Sequence, residues 1–171
     1  MIFSKTLTIK KDLAVSSAQF MVLTVIAVVA PLLGHNQLIT GPIVNATLFI
    51  AAALLGPQSA ILVGLIPSAV ALSFGLLPAV LAPMIPFIMI SNTILILSFY
   101  ALRQRNFGLG VFAASFLKFL FLITTSALVA NLFVKQEIAQ KAASMMSWPQ
   151  FLTAGAGGVI AYFILKGIKR S

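Results

Sequence analysis

One cation lies in the middle of a long apolar stretch of the sequence. Lys118 is the only charged residue in AASFLKFLFLITTS, residues 113–126. Helical spacing places it on one face with Ser115, Leu122 and Thr125, and the opposite face carries no polar side chain. An ionisable residue within a membrane helix faces the protein interior and is a candidate for function. The chemistry that Lys118 offers is recognition of an anion.

No counter-ion for Lys118 is evident in the sequence. The chain has two acidic residues, Asp12 and Glu137. Asp12 is predicted at the edge of the first membrane helix and Glu137 in a loop, so neither is expected at the bilayer midplane. Three outcomes stay open: a neutral lysine, water in a cavity, or an anionic ligand. The competing interpretation is structural, with carbonyl groups and Asn92 capping the ammonium.

Other polar side chains lie at depths that suit a ligand site. Asn92 is predicted near the midplane on the fourth helix, Asn45 about one turn below the outer surface on the second, and Thr125 on the outward continuation of the Lys118 face. The single histidine lies in the first predicted loop, where such a residue is usually only solvated. Alternatively, the polar side chains of this loop form a lid of hydrogen-bonding groups over a pocket. Its members are His35, Asn36, Gln37 and Thr40.

Residue types in this chain argue against an enzyme and against a metal site. There is no cysteine and a single histidine, and the two acidic residues are far apart in the sequence. A carboxylate pair, a His–Asp relay and a thiol nucleophile are therefore excluded. A Gly-x-x-x-x-Gly-Lys phosphate loop is also missing, so the chain cannot hydrolyse ATP through that motif. No cofactor is expected.

Composition indicates an integral membrane protein. Of the 171 residues, 61% are hydrophobic and 8% are charged, and the mean hydropathy is +1.13. Soluble domains average about 25% charged residues. The net charge of +9 does not indicate nucleic-acid binding, because the basic residues lie at the ends of apolar segments. We predict one transmembrane domain, residues 1–171, embedded in the lipid bilayer.

Apolar segments predict an all-α bundle of six transmembrane helices. A membrane span takes about 20 apolar residues, or fewer where neighbouring protein shields the helix. The second helix is expected to open at TGP, with Pro42 in its first turn. The predicted spans are 12–33, 41–55, 58–73, 83–102, 107–133 and 148–167.

The distribution of basic residues predicts that both termini are cytoplasmic. Six spans place the termini on one side, together with the loop between the fourth and fifth helices. Eight basic residues fall on that side and two, Lys135 and Lys141, on the other. Cytoplasmic segments carry the excess of Lys and Arg. We therefore predict a multi-pass protein of the cell membrane.

Two sets of small residues predict close helix contacts, because small side chains let membrane helices approach. Ala154 and Gly158 lie four apart in TAGAGG, residues 153–158, where internal packing is expected. Ala14 and Ala18 form a similar pair on the first helix. That pair is suited either to internal packing or to docking on a partner.

Two segments of this chain resemble the substrate-binding S components of energy-coupling factor (ECF) transporters. They are TGPIVNATLFIAAALLGPQSAILVGLIPS (40–68) and LLPAVLAPMIPFIMISN (76–92), and the six-helix layout is also similar. The resemblance implies capture of a vitamin-like nutrient from outside, in a pocket capped by the loops at 34–40, 74–82 and 134–148. It also implies uptake with a transmembrane coupling subunit and two cytoplasmic ATPase subunits. Ala14 and Ala18 match the Ala-x-x-x-Ala docking face of that family.

The predicted function is therefore capture of a small, anionic micronutrient by a membrane-embedded S component. Lys118 is expected to bind the anion, and Asn45, Asn92 and Thr125 to orient it by hydrogen bonds. Two alternatives stay open. One is a stand-alone carrier or channel for a small solute, which would not co-purify with an ATPase module. The other is a non-transport membrane scaffold, in which leucine would be tolerated at position 118.

Overall fold

Six α-helices of 17 to 28 residues dominate the computed structural model, which describes residues 2–33, 36–73, 83–133 and 143–168. A short 3-10 helix, Ala30–Leu33, follows α1. The helices are α1 Ile2–Val29, α2 Gln37–Leu54, α3 Pro57–Ser73, α4 Ile85–Leu102, α5 Phe107–Phe133 and α6 Trp148–Ile168. The predicted all-helical fold is thus confirmed for the described residues.

Within the described residues, five segments are long and apolar enough to cross a membrane, as expected of a membrane protein. They are Asp12–Leu32, Gln37–Leu54, Ile85–Leu102, Phe107–Val129 and Ala143–Ile168. The remaining helix, α3, has 17 residues, which is shorter than the roughly 20 that span the hydrocarbon core. A sixth crossing through α3 stays a prediction.

Two helices begin earlier than predicted. Helix α1 begins at Ile2 rather than residue 12, since its polar first segment contains neither proline nor glycine to end it. Helix α2 begins at Gln37, where the Asn36 side chain accepts a hydrogen bond from the Leu38 N–H. Such an asparagine cap satisfies one free N–H of the first turn. Pro42 consequently lies inside α2, so its predicted place in the first turn is wrong.

The two ends of the bundle differ in chemistry. A cavity lined by Arg103 and Lys166 lies where α2, α4 and α6 end and α5 begins. We call this the basic end. Another cavity lies where α1 ends and α2, α4 and α6 begin. Pro31, Gln37 and Gln150 are among the residues that line it. We call this the far end.

Aromatic rings fill the bundle towards the basic end. The ring centroids of Phe49 and Phe99 lie 4.8 Å apart, and those of Phe99 and Phe107 lie 5.2 Å apart, both edge to face. Phe49 and Phe99 are fully buried. Edge-to-face packing suits the charge distribution of aromatic rings. These three rings therefore form a packed aromatic cluster beside the cavity at the basic end.

Small residues allow α6 to pack closely against α2 and α5. Ala154, Gly157 and Gly158 are buried. A Cβ on Gly157 would lie 2.8 Å from the Ala46 nitrogen and from the Pro42 carbonyl oxygen, and one on Gly158 would overlap the Val111 side chain. The sequence-predicted packing role of Ala154 and Gly158 is thus confirmed, and Gly157 makes the closest backbone approach.

Gly157→Ala should destabilise the bundle, because the added methyl group meets backbone atoms of α2 that cannot move aside cheaply. Overpacking of this kind costs about 1–3 kcal/mol. Gly155→Ala is the matched control, since an added Cβ there has no atom within 4 Å. Thermal unfolding in detergent should show a lower midpoint for Gly157→Ala only. Equal midpoints for the two variants would contradict the close α2–α6 contact.

Candidate functional site

Helix α5 turns Lys118 towards the interior of the bundle. Ser115, Lys118 and Leu122 are buried, and Lys118 is only 4% exposed. Phe116 and Leu120, on the other side of α5, are exposed on the surface of the bundle. The predicted polar face of this helix is therefore confirmed. Lys118 lies eleven residues from the start of α5, which corresponds to about 16 Å along the helix.

Two asparagine side chains hold the Lys118 ammonium. Its Nζ donates to Asn45 Oδ1 at 2.7 Å and to Asn92 Oδ1 at 2.8 Å. The amide nitrogen of Asn45 donates to the Gly41 carbonyl at 2.9 Å, and that of Asn92 donates to the Gly64 carbonyl at 3.3 Å. Because each amide nitrogen is directed at a carbonyl, each amide oxygen faces the ammonium.

No carboxylate of the described residues contacts Lys118. Asp12 is exposed on α1, and Glu137 lies outside the residues that the structure describes. An ammonium has three N–H groups to donate, and the described part of the chain supplies two acceptors, on Asn45 and Asn92. The site therefore holds a buried amino group that is hydrogen-bonded to two amide oxygens and has no carboxylate beside it among the described residues.

Lys118 also forms part of the wall of a cavity of about 160 Å³. The cavity reaches from Lys118, Asn45 and Asn92 towards the far end, where Gln37 and Thr40 line it. These five residues were predicted as ligand contacts from the sequence. Along α2, Asn45 and Gln37 are eight residues apart, or about 12 Å. The structure thus brings most of the predicted polar set around one space.

Two glutamines meet near the far end of this cavity. Gln37 Nε2 donates to the Met145 carbonyl at 3.0 Å, and Gln150 Nε2 donates to the same carbonyl at 3.3 Å. Gln150 was not identified from the sequence, although it is a polar residue in the first turn of α6. Ser68 on α3 was missed as well and also lines the cavity.

Some predicted site residues lie elsewhere. Thr125 is buried and donates its hydroxyl to the Phe121 carbonyl at 2.8 Å, and it is not among the residues that line this cavity. His35 lies outside the described residues, as do the loop 74–82 and residues 134–142 of the third predicted capping loop. Ala14 and Ala18 are exposed on α1, away from the cavity lining.

The cavity lining combines one amino group with amide and hydroxyl side chains and with apolar residues. An ammonium, several side-chain amides and two hydroxyl groups suit binding of a carboxylate or phosphate group, whose oxygens are acceptors. Within residues 2–33, 36–73, 83–133 and 143–168, no group of three or more His, Cys, Asp or Glu residues could hold a metal ion. The arrangement fits recognition of an anion.

No protein-family model, curated protein or solved structure matches this chain. The resemblance to ECF S components stays a prediction from the two sequence segments quoted above and the layout of the helices. The geometry around Lys118 is therefore the basis for inferring the class of ligand.

The bond between Lys118 and Asn45 should appear as an energetic coupling. Asn45→Leu removes one of two acceptors of a buried ammonium, and hydrogen bonds to charged groups contribute about 1.5–3 kcal/mol. The same substitution in the Lys118→Met background removes no such bond, so its effect should be smaller. A double-mutant cycle on thermal unfolding in detergent measures the difference. Additive effects of the two substitutions would show that the bond contributes nothing.

Proposed function

We propose that this protein is the substrate-binding S component of an ECF-type importer, which captures a small anionic nutrient. The observation that carries the proposal is the buried amino group of Lys118, which lies on a cavity wall without a carboxylate partner among the described residues. An ammonium at the bilayer midplane costs about 2.5–3.5 kcal/mol even on the lenient insertion scale. A bound anion offsets that cost, which is a reason for the chain to retain the lysine.

In this proposal the side chains of Asn45 and Asn92 accept hydrogen bonds from Lys118 until a ligand anion binds. In the structure their amide oxygens accept hydrogen bonds from the Lys118 amino group. A ligand carboxylate supplies charge-assisted hydrogen bonds, which are about twice as strong as neutral ones. The ligand anion accepts from the ammonium, and the side chains of Gln37, Thr40 and Gln150 contact the rest of the molecule closer to the far end.

The size of the cavity favours a small ligand. Its volume of about 160 Å³ is below the roughly 300–1,000 Å³ of pockets for drug-sized molecules. The carboxylate end of the nutrient fits beside Lys118, while any larger portion lies towards the far end, between the starts of α2 and α6. The ligand class is a compact carboxylate or phosphate compound.

Orientation follows from the excess of basic residues. We infer that the basic end, with Arg103, Arg105 and Lys166, faces the cytoplasm of a multi-pass protein in the cell membrane. The far end then faces outward, so the cavity receives solute from outside. The packed rings of Phe49 and Phe99 lie on its inner side, which favours a binding subunit over an open channel.

Energy for uptake comes in this proposal from a transmembrane coupling subunit and two cytoplasmic ATPase subunits. Ala14 and Ala18 are exposed on α1, and small residues let a second helix approach closely. That exposure favours a docking role over internal packing. The chain itself has no Gly-x-x-x-x-Gly-Lys motif for ATP.

Lys118→Met should weaken binding of the nutrient by about ten- to a hundred-fold, because it removes a charge-assisted bond worth about 1.5–3 kcal/mol. Mass spectrometry of small molecules retained through gentle purification identifies the ligand, and titration calorimetry then compares the two proteins. Ser126→Ala, buried on the same helix but outside the cavity lining, should bind normally. Normal affinity of Lys118→Met, or a cationic ligand, would refute the proposal.

Replacing both Ala14 and Ala18 with leucine should abolish co-purification with the ATPase module and reduce uptake, because the larger side chains block close helix approach. Ligand binding by the isolated subunit should stay near the wild-type level. Ala127→Leu, on an exposed face of α5, is the control. An intact complex with loss of ligand binding would contradict docking through this pair. Uptake by the chain alone, without ATPases, would favour a stand-alone carrier.

A further inference from the structure

A second site lies at the basic end, away from Lys118. It is a cavity of about 640 Å³ whose lining combines two cationic side chains, Arg103 and Lys166, with Phe107, Tyr162 and Leu165. None of these residues lines the Lys118 cavity. Cationic side chains next to aromatic and aliphatic ones suit an amphipathic ligand, which has a charged end and an apolar end.

The two cations have hydrogen-bonding capacity to spare. Arg103 Nη1 donates to the Ala53 carbonyl at 3.0 Å, and its guanidinium lies 4.5 Å from the centre of the Tyr100 ring. Its Nε is buried without a hydrogen-bond partner, although a guanidinium has five N–H groups to donate. Lys166 is exposed, with its Nζ 5.6 Å from the centre of the Tyr162 ring. Among the described residues, no acidic side chain lines this cavity.

An apolar groove begins where this cavity ends. The groove has a volume of about 610 Å³, runs between α5 and α6, and shares Phe107 and Tyr162 with the basic cavity. No charged residue lines it. Between Tyr162 and Leu152 it follows ten residues of α6, which is about 15 Å. That length equals one leaflet of a hydrocarbon core about 30 Å thick.

Gly155 and Gly167, both on α6, have open space around them among the described residues. Gly157 and Gly158 are needed for contact with α2 and α5, but a Cβ on Gly155 would meet no atom within 4 Å. Gly155 lines the groove. A glycine is unfavourable in a helix interior by about 0.8–1.0 kcal/mol relative to alanine. At position 155 the absence of a side chain keeps the groove deep, and this depth would accommodate an acyl chain.

We propose that the basic cavity and the groove form one binding site for an anionic phospholipid. The phosphate lies against Arg103 and Lys166, and an acyl chain occupies the α5–α6 groove past Gly155. Charge complementarity selects the anionic lipid, because basic pockets between membrane helices attract acidic headgroups. A free phosphate ion shares the headgroup chemistry but leaves the groove empty, so the two ligands are distinguishable.

Native mass spectrometry of the full chain in detergent tests this site. The probes are phosphatidylglycerol, phosphatidylcholine with the same acyl chains, and inorganic phosphate. Phosphatidylglycerol should be retained in preference to the other two. Lys166→Gln should lower its retention about five-fold, as expected for one basic residue near the membrane surface. Arg105→Gln, which removes an exposed charge outside the cavity lining, should leave retention unchanged.

The acyl-chain part of the site has its own pair of variants. Gly155→Leu fills the groove and should reduce retention of phosphatidylglycerol, whereas Gly167→Leu, also in open space on α6 but outside both linings, should not. Four results would each overturn the proposal: equal retention of the two lipids, phosphate bound as well as phosphatidylglycerol, an equal effect of Arg105→Gln and Lys166→Gln, or full retention by Gly155→Leu. Because these variants avoid Arg103, which bonds to α2, folding is not at risk.

Discussion

The bond from the Lys118 ammonium to two asparagine oxygens is the constraint around which the bundle is arranged. It joins α5 to α2 and α4, and the second amide bond of Asn92 extends the connection to the Gly64 carbonyl of α3. In an apolar bundle these polar atoms have few alternative partners, and an unpaired buried charge is very unfavourable. Four helices must therefore meet at one depth, and the space beside that meeting point is the cavity.

Helical periodicity predicted which residues face the interior of the bundle. It did not predict how far along the bundle each residue lies from the cavity beside Lys118. Lys118 and Thr125 share a face of α5, as the spacing indicated, and both are buried. Thr125 is nevertheless two turns beyond Lys118, and its hydroxyl is bonded within its own helix. Asn45 and Asn92 were found because amides at such depth in an apolar helix are rare and need partners.

Relations between helices were harder to predict from one sequence. Gln150 and Ser68 line the cavity because of how α6 and α3 are rotated against their neighbours, and periodicity within one helix carries no information about that rotation. For α6 the rotation depends on Gly157, whose missing side chain brings the Pro42 and Ala46 backbone close. The start of α2 was misplaced because the prediction relied on Pro42, while the Asn36 cap decides where the helix begins.

Pro42 lies in α2 between the mouth of the cavity, at Gln37 and Thr40, and its floor beside Lys118. A proline inside a helix has no N–H to donate, so the carbonyl group one turn earlier, on Leu38, loses its usual partner. Beyond Pro42, α2 is clamped against Gly157; before it, the Gln37 side chain bonds to the Met145 carbonyl. The part of α2 at the mouth of the cavity is therefore held by the Asn36 cap and the Gln37 side chain, whereas the part beside Lys118 packs directly against α6.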